Sequence, residues 1–288
     1  MNVITPSSSR QVIFGEPIQC LWEHVPIIDE NVFKYDCQSS QFYLNVPDIA
    51  RFLALPAKNS IIVEKTDPSL DDNSINIWLF GTVMAYILQY HGYLVLHGSA
   101  VMINDEAVIF SGHSGAGKST LASALVQKGH LLITDDLVVI KRNEKNQYCI
   151  IPGPQHIKLW RDSMRYFDYD QQNACPIHHK VEKFSIPISQ FCNKQMIPIK
   201  AFYELNFLPE ERFYVSKKSP STAALKIIMQ NSYRHFMLKP LGKLESFFYD
   251  CTALLNQISV YKILRTKNFD DLPEIVKSIE LNSQNHYQ

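Results

Sequence analysis

Residues 112–120 read Gly112-His113-Ser114-Gly115-Ala116-Gly117-Lys118-Ser119-Thr120, a run that satisfies the pattern G-x-x-x-x-G-K-[ST] of a phosphate-binding loop. An apolar strand is predicted before it at residues 107–110, and a helix after it at residues 119–128, ending at Gly129. Glycines let backbone N–H groups surround phosphate oxygens, and a helix N-terminus adds positive potential. We expect Lys118 to reach the outer phosphates and the Ser119 hydroxyl to ligate Mg2+.

Two adjacent carboxylates interrupt the apolar run that follows the loop helix. A strand is predicted over residues 131–140, and Asp135 and Asp136 lie near its centre. In a parallel sheet such a pair can reach Mg2+ and the terminal phosphate. Because neighbouring strand residues point to opposite faces, we expect one carboxylate to hold metal and the other to orient or deprotonate an attacking hydroxyl. The alternative is a surface Thr-Asp-Asp turn, since Asp is favoured in turns.

One histidine, His97, lies in the apolar run of residues 93–103 that precedes the loop. A turn at residues 104–106 leads into the strand of the loop, which predicts a hairpin. The hairpin would bring His97 close to the loop and so favours a role in an active site. The alternative is a hydrogen-bonded histidine of the core.

Four features resemble, in order and spacing, the catalytic domain of HPr kinase/phosphorylase. They are the His97-Gly98 pair, the loop of residues 112–120, the turn of residues 128–130 and the Asp135-Asp136 pair. Within this superfamily the chain looks most similar to the HPr-kinase-related enzymes of lasso-peptide gene clusters, which phosphorylate a serine at the C-terminal end of a precursor peptide. Three further phrases support that closer likeness, at residues 42–47, 152–154 and 157–160.

The resemblance implies an α/β fold with a P-loop kinase core of the HPr kinase C-terminal-domain type and an N-terminal β-rich, α+β extension. It divides the chain into an accessory region, 1–90, and a catalytic domain, 91–288. It implies an ATP-dependent serine kinase that uses ATP and Mg2+, with an HPr-like kinase of carbohydrate signalling and a non-catalytic nucleotide sensor as alternatives. The implied roles are a base toward the acceptor hydroxyl for Asp136, neutralisation of transferred charge for Lys118, a place in the active site for His97, and metal binding for Ser119 and Asp135.

The sequence departs from HPr kinases in two respects. No metal-binding glutamate lies between Ile150 and Trp160, and Asp162 is only a weak substitute. The Arg/Gly-rich signature for phosphorolysis is also not evident, which argues against reverse phosphorylase activity and leaves open whether phosphorolysis occurs. Five basic residues are candidates for contacts to phosphate, with a solvated charge run as the alternative for the two lysines: Lys180, Lys183, Arg212, Arg234 and Arg265.

Other classes of P-loop protein fit the sequence less well. ABC transporter ATPases need a Leu-Ser-Gly-Gly-Gln type signature downstream, and GTPases need an Asn-Lys-x-Asp motif; neither occurs. In ABC ATPases and guanylate kinases the loop lies near the start of the domain, whereas here residues 1–111 precede it.

The composition is typical of a cytoplasmic enzyme. The 288 residues include 28 basic and 28 acidic side chains, without a basic tract, which argues against nucleic acid or an anionic membrane as the main partner. We expect no signal peptide and no membrane span, because residues 1–10 are polar and no apolar run approaches roughly 20 residues. The six dispersed cysteines indicate reduced thiols without a zinc site. The expected partner is a peptide or small protein with an acceptor serine, and a homo-oligomer is left open.

Helices and strands alternate along the rest of the chain, which supports an α/β body. A helix is predicted over residues 75–90, with Trp78, Leu79, Val83, Tyr86 and Ile87 as core residues at helical spacing. Strands are predicted at residues 201–208 and 258–264. Further helices are predicted over residues 241–257, from Asp271, and after Ser219 as N-cap with Pro220 in the first turn.

Overall fold

A computed structural model describes residues 10–25, 34–70, 72–178, 181–208, 214–215 and 219–284 of the chain. The predicted mixed α/β fold is confirmed. The chain divides into two compact units, Met1–Val95 with Tyr233–Phe247, and Leu96–Ser232 with Phe248–Gln288. Every helix within the described ranges is too short or too polar to cross a lipid bilayer.

The first unit contains a six-stranded sheet with the order β1-β2-β6-β5-β4-β3. Side chains alternate across its middle strand: Ala50, Phe52 and Ala54 are fully buried, and the residues between them are half-buried. The sheet therefore has one apolar face, as expected for period-2 patterning. The strands are β1 (Gln11–Ile13), β2 (Glu16–Trp22), β3 (Lys34–Cys37), β4 (Phe42–Val46), β5 (Ala50–Leu55) and β6 (Ser60–Lys65).

The helix predicted over residues 75–90 forms, but it is divided. A π-helical segment, Leu79–Val83, separates α1 (Asp72–Trp78) from α2 (Met84–Tyr90). Four of the five predicted core residues are fully buried, whereas Trp78 is half-buried.

The second unit contains a seven-stranded sheet with the order β10-β9-β7-β8-β14-β16-β15 and a three-stranded sheet with the order β11-β13-β12. The strands are β7 (Leu94–Ile103), β8 (Glu106–Gly112), β9 (Leu131–Arg142), β10 (Tyr148–Ile151), β11 (His156–Trp160), β12 (Cys175–His178), β13 (Val181–Pro187), β14 (Ile197–Phe207), β15 (Tyr214–Val215) and β16 (Ser259–Arg265). The helices from here to the end of the chain are α3 (Lys118–Gln127), α4 (Arg161–Tyr166), α5 (Ser221–Gln230), α6 (Leu244–Leu255) and α7 (Leu272–Gln284).

Three parallel strands bring their carboxyl ends to one edge of the large sheet. Strand β14 runs parallel to β8 on one side and to β16 on the other. Gly112 at the end of β8 is level with Leu205, and Phe207 at the end of β14 is level with Arg265. Ligands of open α/β sheets bind at the carboxyl ends of such strands. The phosphate-binding loop, which follows β8, therefore opens at this edge.

Helix α3 anchors the loop to the core of the second unit. Its Leu121 and Leu125 are fully buried in a cluster that also holds Phe110 and Tyr203 of the sheet. The helix ends before Gly129, whose φ of +96° confirms the predicted left-handed cap.

The predicted serine cap of α5 is wrong. Pro220 is the N-cap residue, and the Ser219 backbone N–H before it donates to the Val260 carbonyl of β16.

Candidate active site

The phosphate-binding loop is shaped by glycines in conformations that other residues rarely adopt. Gly112 has a φ of +138°, and a Cβ atom there would lie 2.3 Å from the Leu205 carbonyl oxygen. Gly117 has a φ of +92° and immediately precedes the first residue of α3. The loop thus passes directly into a helix N-terminus, where backbone N–H groups and the helix dipole favour an anion.

Lys118 is the buried cation of this loop, with a relative exposure of 7%. Its Nζ donates to the carbonyl oxygens of Gly112 at 2.9 Å and His113 at 3.1 Å. Burial lowers the pKa of Lys118, against the opposing attraction of Asp135. The hydrogen-bond acceptors of the ammonium are two neutral carbonyls, which hold it in place and leave it able to attract an incoming phosphate.

A cavity of about 520 Å³ opens over the loop. Six of the nine loop residues line it, whereas Gly112, His113 and Ala116 do not. Gly112 and Ala116 are buried, and His113 is exposed. The Thr120 hydroxyl contacts the Ser163 hydroxyl at 2.9 Å. The charged and titratable residues that line the cavity outside the loop are His97, Asp135, Asp136, Lys158, Asp162, Lys183, Arg265 and Lys267.

Asp135 accepts hydrogen bonds from three different residues. The Ser119 hydroxyl donates to its two oxygens at 2.9 and 3.1 Å, the Ser99 hydroxyl donates at 2.5 Å, and the backbone N–H of Lys158 donates at 2.7 Å. These donors fix the carboxylate directly beside the first turn of α3. The predicted metal residues Ser119 and Asp135 are therefore brought together.

This pair fits a magnesium ion by the chemistry of its donors. Mg2+ prefers oxygen ligands and usually takes one or two carboxylates together with water and substrate phosphates, rather than a complete protein cage. One hydroxyl and one carboxylate beside a phosphate-binding loop match that requirement. Among the described residues, no group of three or more His, Cys, Asp or Glu side chains could hold a metal ion.

The expectation that Asp135 and Asp136 point to opposite faces is wrong. Both side chains line the same cavity. The physical reason is the backbone of Asp136, whose φ of +74° lies in the left-handed region and breaks the regular alternation of strand β9. A hydrogen bond spans this irregularity: the Thr134 hydroxyl donates to the Leu137 carbonyl at 2.8 Å.

Asp136 is paired with two basic side chains. The Lys158 Nζ donates to its Oδ2 at 2.7 Å, and the His97 Nε2 lies 3.4 Å from its Oδ1. Burial on its own would raise the pKa of Asp136, but the charge of Lys158 and the hydrogen bond from His97 outweigh it and hold the pKa well below the usual range. Asp136 is therefore an ionised carboxylate at neutral pH, able to accept a proton.

His97 lies where the predicted hairpin should place it. Strands β7 and β8 are antiparallel, with Gly98 opposite Ser111, and the Ser111 hydroxyl donates to the His97 carbonyl. The backbone N–H of His97 donates to the Asn231 carbonyl at 2.8 Å, which fixes the backbone at His97. The half-buried imidazole can thus orient Asp136 within the cavity.

Lys158 is a site residue that the motifs did not single out. It lies on β11 between Ile157 and Leu159, which are both buried in the core. Period-2 alternation puts Lys158 on the opposite side of that strand from the core. This alternation is the sequence signal that could have identified Lys158 as a site residue.

The candidate phosphate contacts divide into three groups. Lys183 and Arg265 line the cavity, and Arg234 does not. Lys180 and Arg212 lie outside the described residues. Asp162, the weak substitute for the missing glutamate, also lines the cavity.

The fold and the loop place the chain among α/β proteins with a P-loop kinase-type core. The family of the HPr Serine kinase C-terminal domain matches residues 89–153, which include the loop and both aspartates. This match and the curated relatives show that the chain is similar to HPr kinases over this segment.

The curated relatives are similar over a short part of the chain. The HPr kinase/phosphorylase of Prosthecochloris aestuarii is 45% identical over 58 residues, 20% of this chain and 17% of the relative. That of Mycoplasmopsis pulmonis is 46% identical over 56 residues, 19% of this chain and 18% of the relative. The chain thus spans about one sixth of the length of the relatives it matches. A solved structure, the Hpr(Ser) kinase/phosphatase from Coxiella burnetii, aligns weakly with 67% of this chain and 89% of its own, at 16% identity and a TM-score of 0.34.

Proposed function

We propose that this chain is an ATP-dependent kinase that transfers the γ-phosphoryl group to a serine hydroxyl of a peptide substrate. The observation that carries the proposal is one cavity that contains a buried P-loop lysine and two carboxylates with different partners. Residues 91–288 would form the catalytic domain and residues 1–90 an accessory region. The compact units support this division in part, since they separate between Val95 and Leu96 but assign Tyr233–Phe247 to the first unit.

The transfer follows from the partners of each side chain. The serine oxygen forms a bond to the γ-phosphorus, the bond from that phosphorus to the bridging oxygen of ADP breaks, and the serine proton moves to the carboxylate of Asp136. Lys118 offsets negative charge on the phosphates, and His97 orients Asp136. Ser119 and Asp135 would hold Mg2+, which, when bound, neutralises charge on the outer phosphates.

The acceptor proposed for this serine kinase is the C-terminal serine of a lasso-peptide precursor. The support is the resemblance of residues 42–47, 152–154 and 157–160 to the kinases of those gene clusters. The curated relatives are HPr kinase/phosphorylases, and the protein HPr is therefore a compatible second candidate acceptor.

The experiment measures the intact mass of candidate acceptors after incubation with this protein and Mg-ATP. The acceptors are a precursor peptide that ends in serine, the same peptide with that serine changed to alanine, and HPr. We expect the mass of one phosphoryl group to be added to the first peptide and not to its alanine variant. Phosphorylation of HPr alone would replace the proposed acceptor. If no ATP is consumed and no acceptor gains mass, a non-catalytic nucleotide sensor becomes the better description.

Lys158 tunes the proposed base, and this predicts a shift in pH dependence. Lys158→Met removes the larger of the two effects that oppose burial and leaves only His97 to lower the pKa of Asp136, so that pKa rises. Asp136 must be ionised to accept a proton, and activity is lost as pH falls through its pKa. For the unaltered protein we expect the acidic limb of kcat to lie below about 3.9, the ordinary value for Asp, and for Lys158→Met at higher pH.

The matched control is Lys200→Met. Lys200 also forms an ion pair with a partly buried carboxylate, that of Glu106 at 3.0 Å, but it does not line the cavity. The measurement is kcat as a function of pH for both variants. An acidic limb that stays in place for Lys158→Met would remove Lys158 from any role in setting the protonation of the base.

A further inference from the structure

Arg265 is an almost fully buried cation in the wall of the cavity. It is the last residue of β16, has a relative exposure of 3%, and ends a strand at the edge of the sheet where the loop opens. Its guanidinium is so close to the loop that a Cβ atom at Gly117 would lie 2.7 Å from Nη1. Because Gly117 immediately precedes α3, Arg265 faces the anion site at the helix N-terminus.

The hydrogen bonds of Arg265 leave one of its nitrogens unused. Nε donates to the Thr266 carbonyl at 3.1 Å, and Nη2 donates to the Asn268 carbonyl at 3.4 Å. Nη1 is buried and has no hydrogen-bond acceptor within the described ranges. Asp271, the acidic residue that attracts the guanidinium, accepts a hydrogen bond from the Thr266 hydroxyl at 2.7 Å.

Such an arrangement is unfavourable for the protein without a ligand. Burial lowers the pKa of Arg265, against the opposing attraction of Asp271, yet a guanidinium stays protonated in proteins. The hydrogen-bond acceptors of this buried charge are neutral carbonyls, so Asp271 attracts it without a direct hydrogen bond, and a buried N–H without an acceptor adds to the penalty. A phosphate oxygen beside Gly117 would relieve both.

We propose that Arg265 binds the phosphate chain of the nucleoside triphosphate, with Nη1 as the donor. The inference rests on the proposed function for the identity of this ligand. Lys118 then contributes a point charge from the loop, and Arg265 contributes a planar guanidinium from a strand far away in the sequence. A guanidinium presents several N–H donors in a fixed plane and suits phosphate better than an ammonium does.

The test is the affinity of the full chain for a non-hydrolysable ATP analogue with Mg2+, measured by calorimetry for Arg265→Met and Arg265→Lys. Methionine fills a buried space without needing polar partners, so we expect the protein to stay folded. We expect Arg265→Met to bind the analogue at least about tenfold more weakly, because a charge-assisted hydrogen bond is lost. Arg265→Lys keeps the charge and should lose less affinity for the analogue than Arg265→Met does.

The matched control is Arg142→Met. Arg142 lies in the same unit, is paired with Asp250 at 2.6 Å, and does not line the cavity, so the affinity of this variant should equal that of the unaltered protein. Thermal unfolding provides a second measurement, the rise in Tm that the analogue causes, which would not change if Arg265 had only a structural role. Arg265→Met should keep the Tm of the ligand-free protein but lose most of the rise in Tm that the analogue causes.

An affinity of Arg265→Met within twofold of the unaltered protein would overturn the inference. Should that variant fail to fold, Arg265→Gln takes its place, since it also removes the charge, and an affinity of Arg265→Gln within twofold of the unaltered protein overturns the inference equally. If Arg265→Met binds weakly but the unaltered protein phosphorylates no acceptor, the inference stands and the proposed function fails. If phosphorylation occurs and the variants bind the analogue normally, the proposed function stands and the inference on Arg265 fails. If the unaltered protein binds no nucleotide, both fail.

Discussion

Asp136→Asn is expected to abolish phosphoryl transfer while leaving nucleotide binding nearly unchanged. The amide has the shape of the carboxylate and can still accept from Lys158, but it cannot take the proton of the acceptor hydroxyl. General-base catalysis contributes roughly 10²–10⁴-fold, so we expect kcat to fall by about that factor. The measurement is the rate of acceptor phosphorylation at saturating Mg-ATP, together with the affinity for the non-hydrolysable analogue.

The control for this variant is Asp250→Asn. Asp250 also pairs with a cation, that of Arg142 at 2.6 Å, and accepts from the Tyr148 hydroxyl, but it does not line the cavity. Its replacement should leave kcat unchanged. Full turnover by Asp136→Asn would show that another group takes the proton, and His97 would then be the first residue to test.

Lys118→Ala should weaken both nucleotide binding and transfer. The ammonium is the buried positive charge of the loop, and alanine leaves the loop itself with only its backbone N–H groups to hold the phosphates. Removing one preorganised donor of this kind costs roughly 10²–10³-fold in kcat, and we expect kcat/KM for ATP to fall further because binding is also impaired.

Lys128→Ala is the matched control, because Lys128 lies at the other end of the same helix, is exposed, and does not line the cavity. Both variants are compared for analogue affinity and for initial rates over a range of ATP concentrations. An unchanged affinity together with full activity in Lys118→Ala would contradict the assignment of residues 112–120 as the nucleotide site.

The parts of the site that could be predicted are those in which local sequence determines local structure. The glycines of the loop need conformations with positive φ, and Gly129 marks the end of the helix, so the strand, loop and helix are all readable from residues 107–129. The turn at residues 104–106 likewise forecasts the hairpin that carries His97.

The parts that could not be predicted depend on contacts between distant segments. The left-handed backbone of Asp136 lies inside a strand, where residues normally alternate, and the preference of Asp for turns was the one local signal for it. Arg265 reaches the loop only because β16 runs parallel to β14, and strand order is a property of the whole sheet. Lys158 lies on β11 of the three-stranded sheet, and this strand comes to lie beside Asp135 and Asp136 only when the chain folds.

The left-handed backbone of Asp136 has a consequence for the evolution of the chain. A residue with a side chain held in this region costs roughly 1–3 kcal/mol, whereas glycine adopts it freely. Backbone strain alone would therefore favour glycine at position 136, and the ion pair of Asp136 with Lys158 offsets part of that strain. Keeping the carboxylate sets stability against activity at a single position. In a relative that has lost the reaction but kept the fold, position 136 is where a glycine would be expected to appear first.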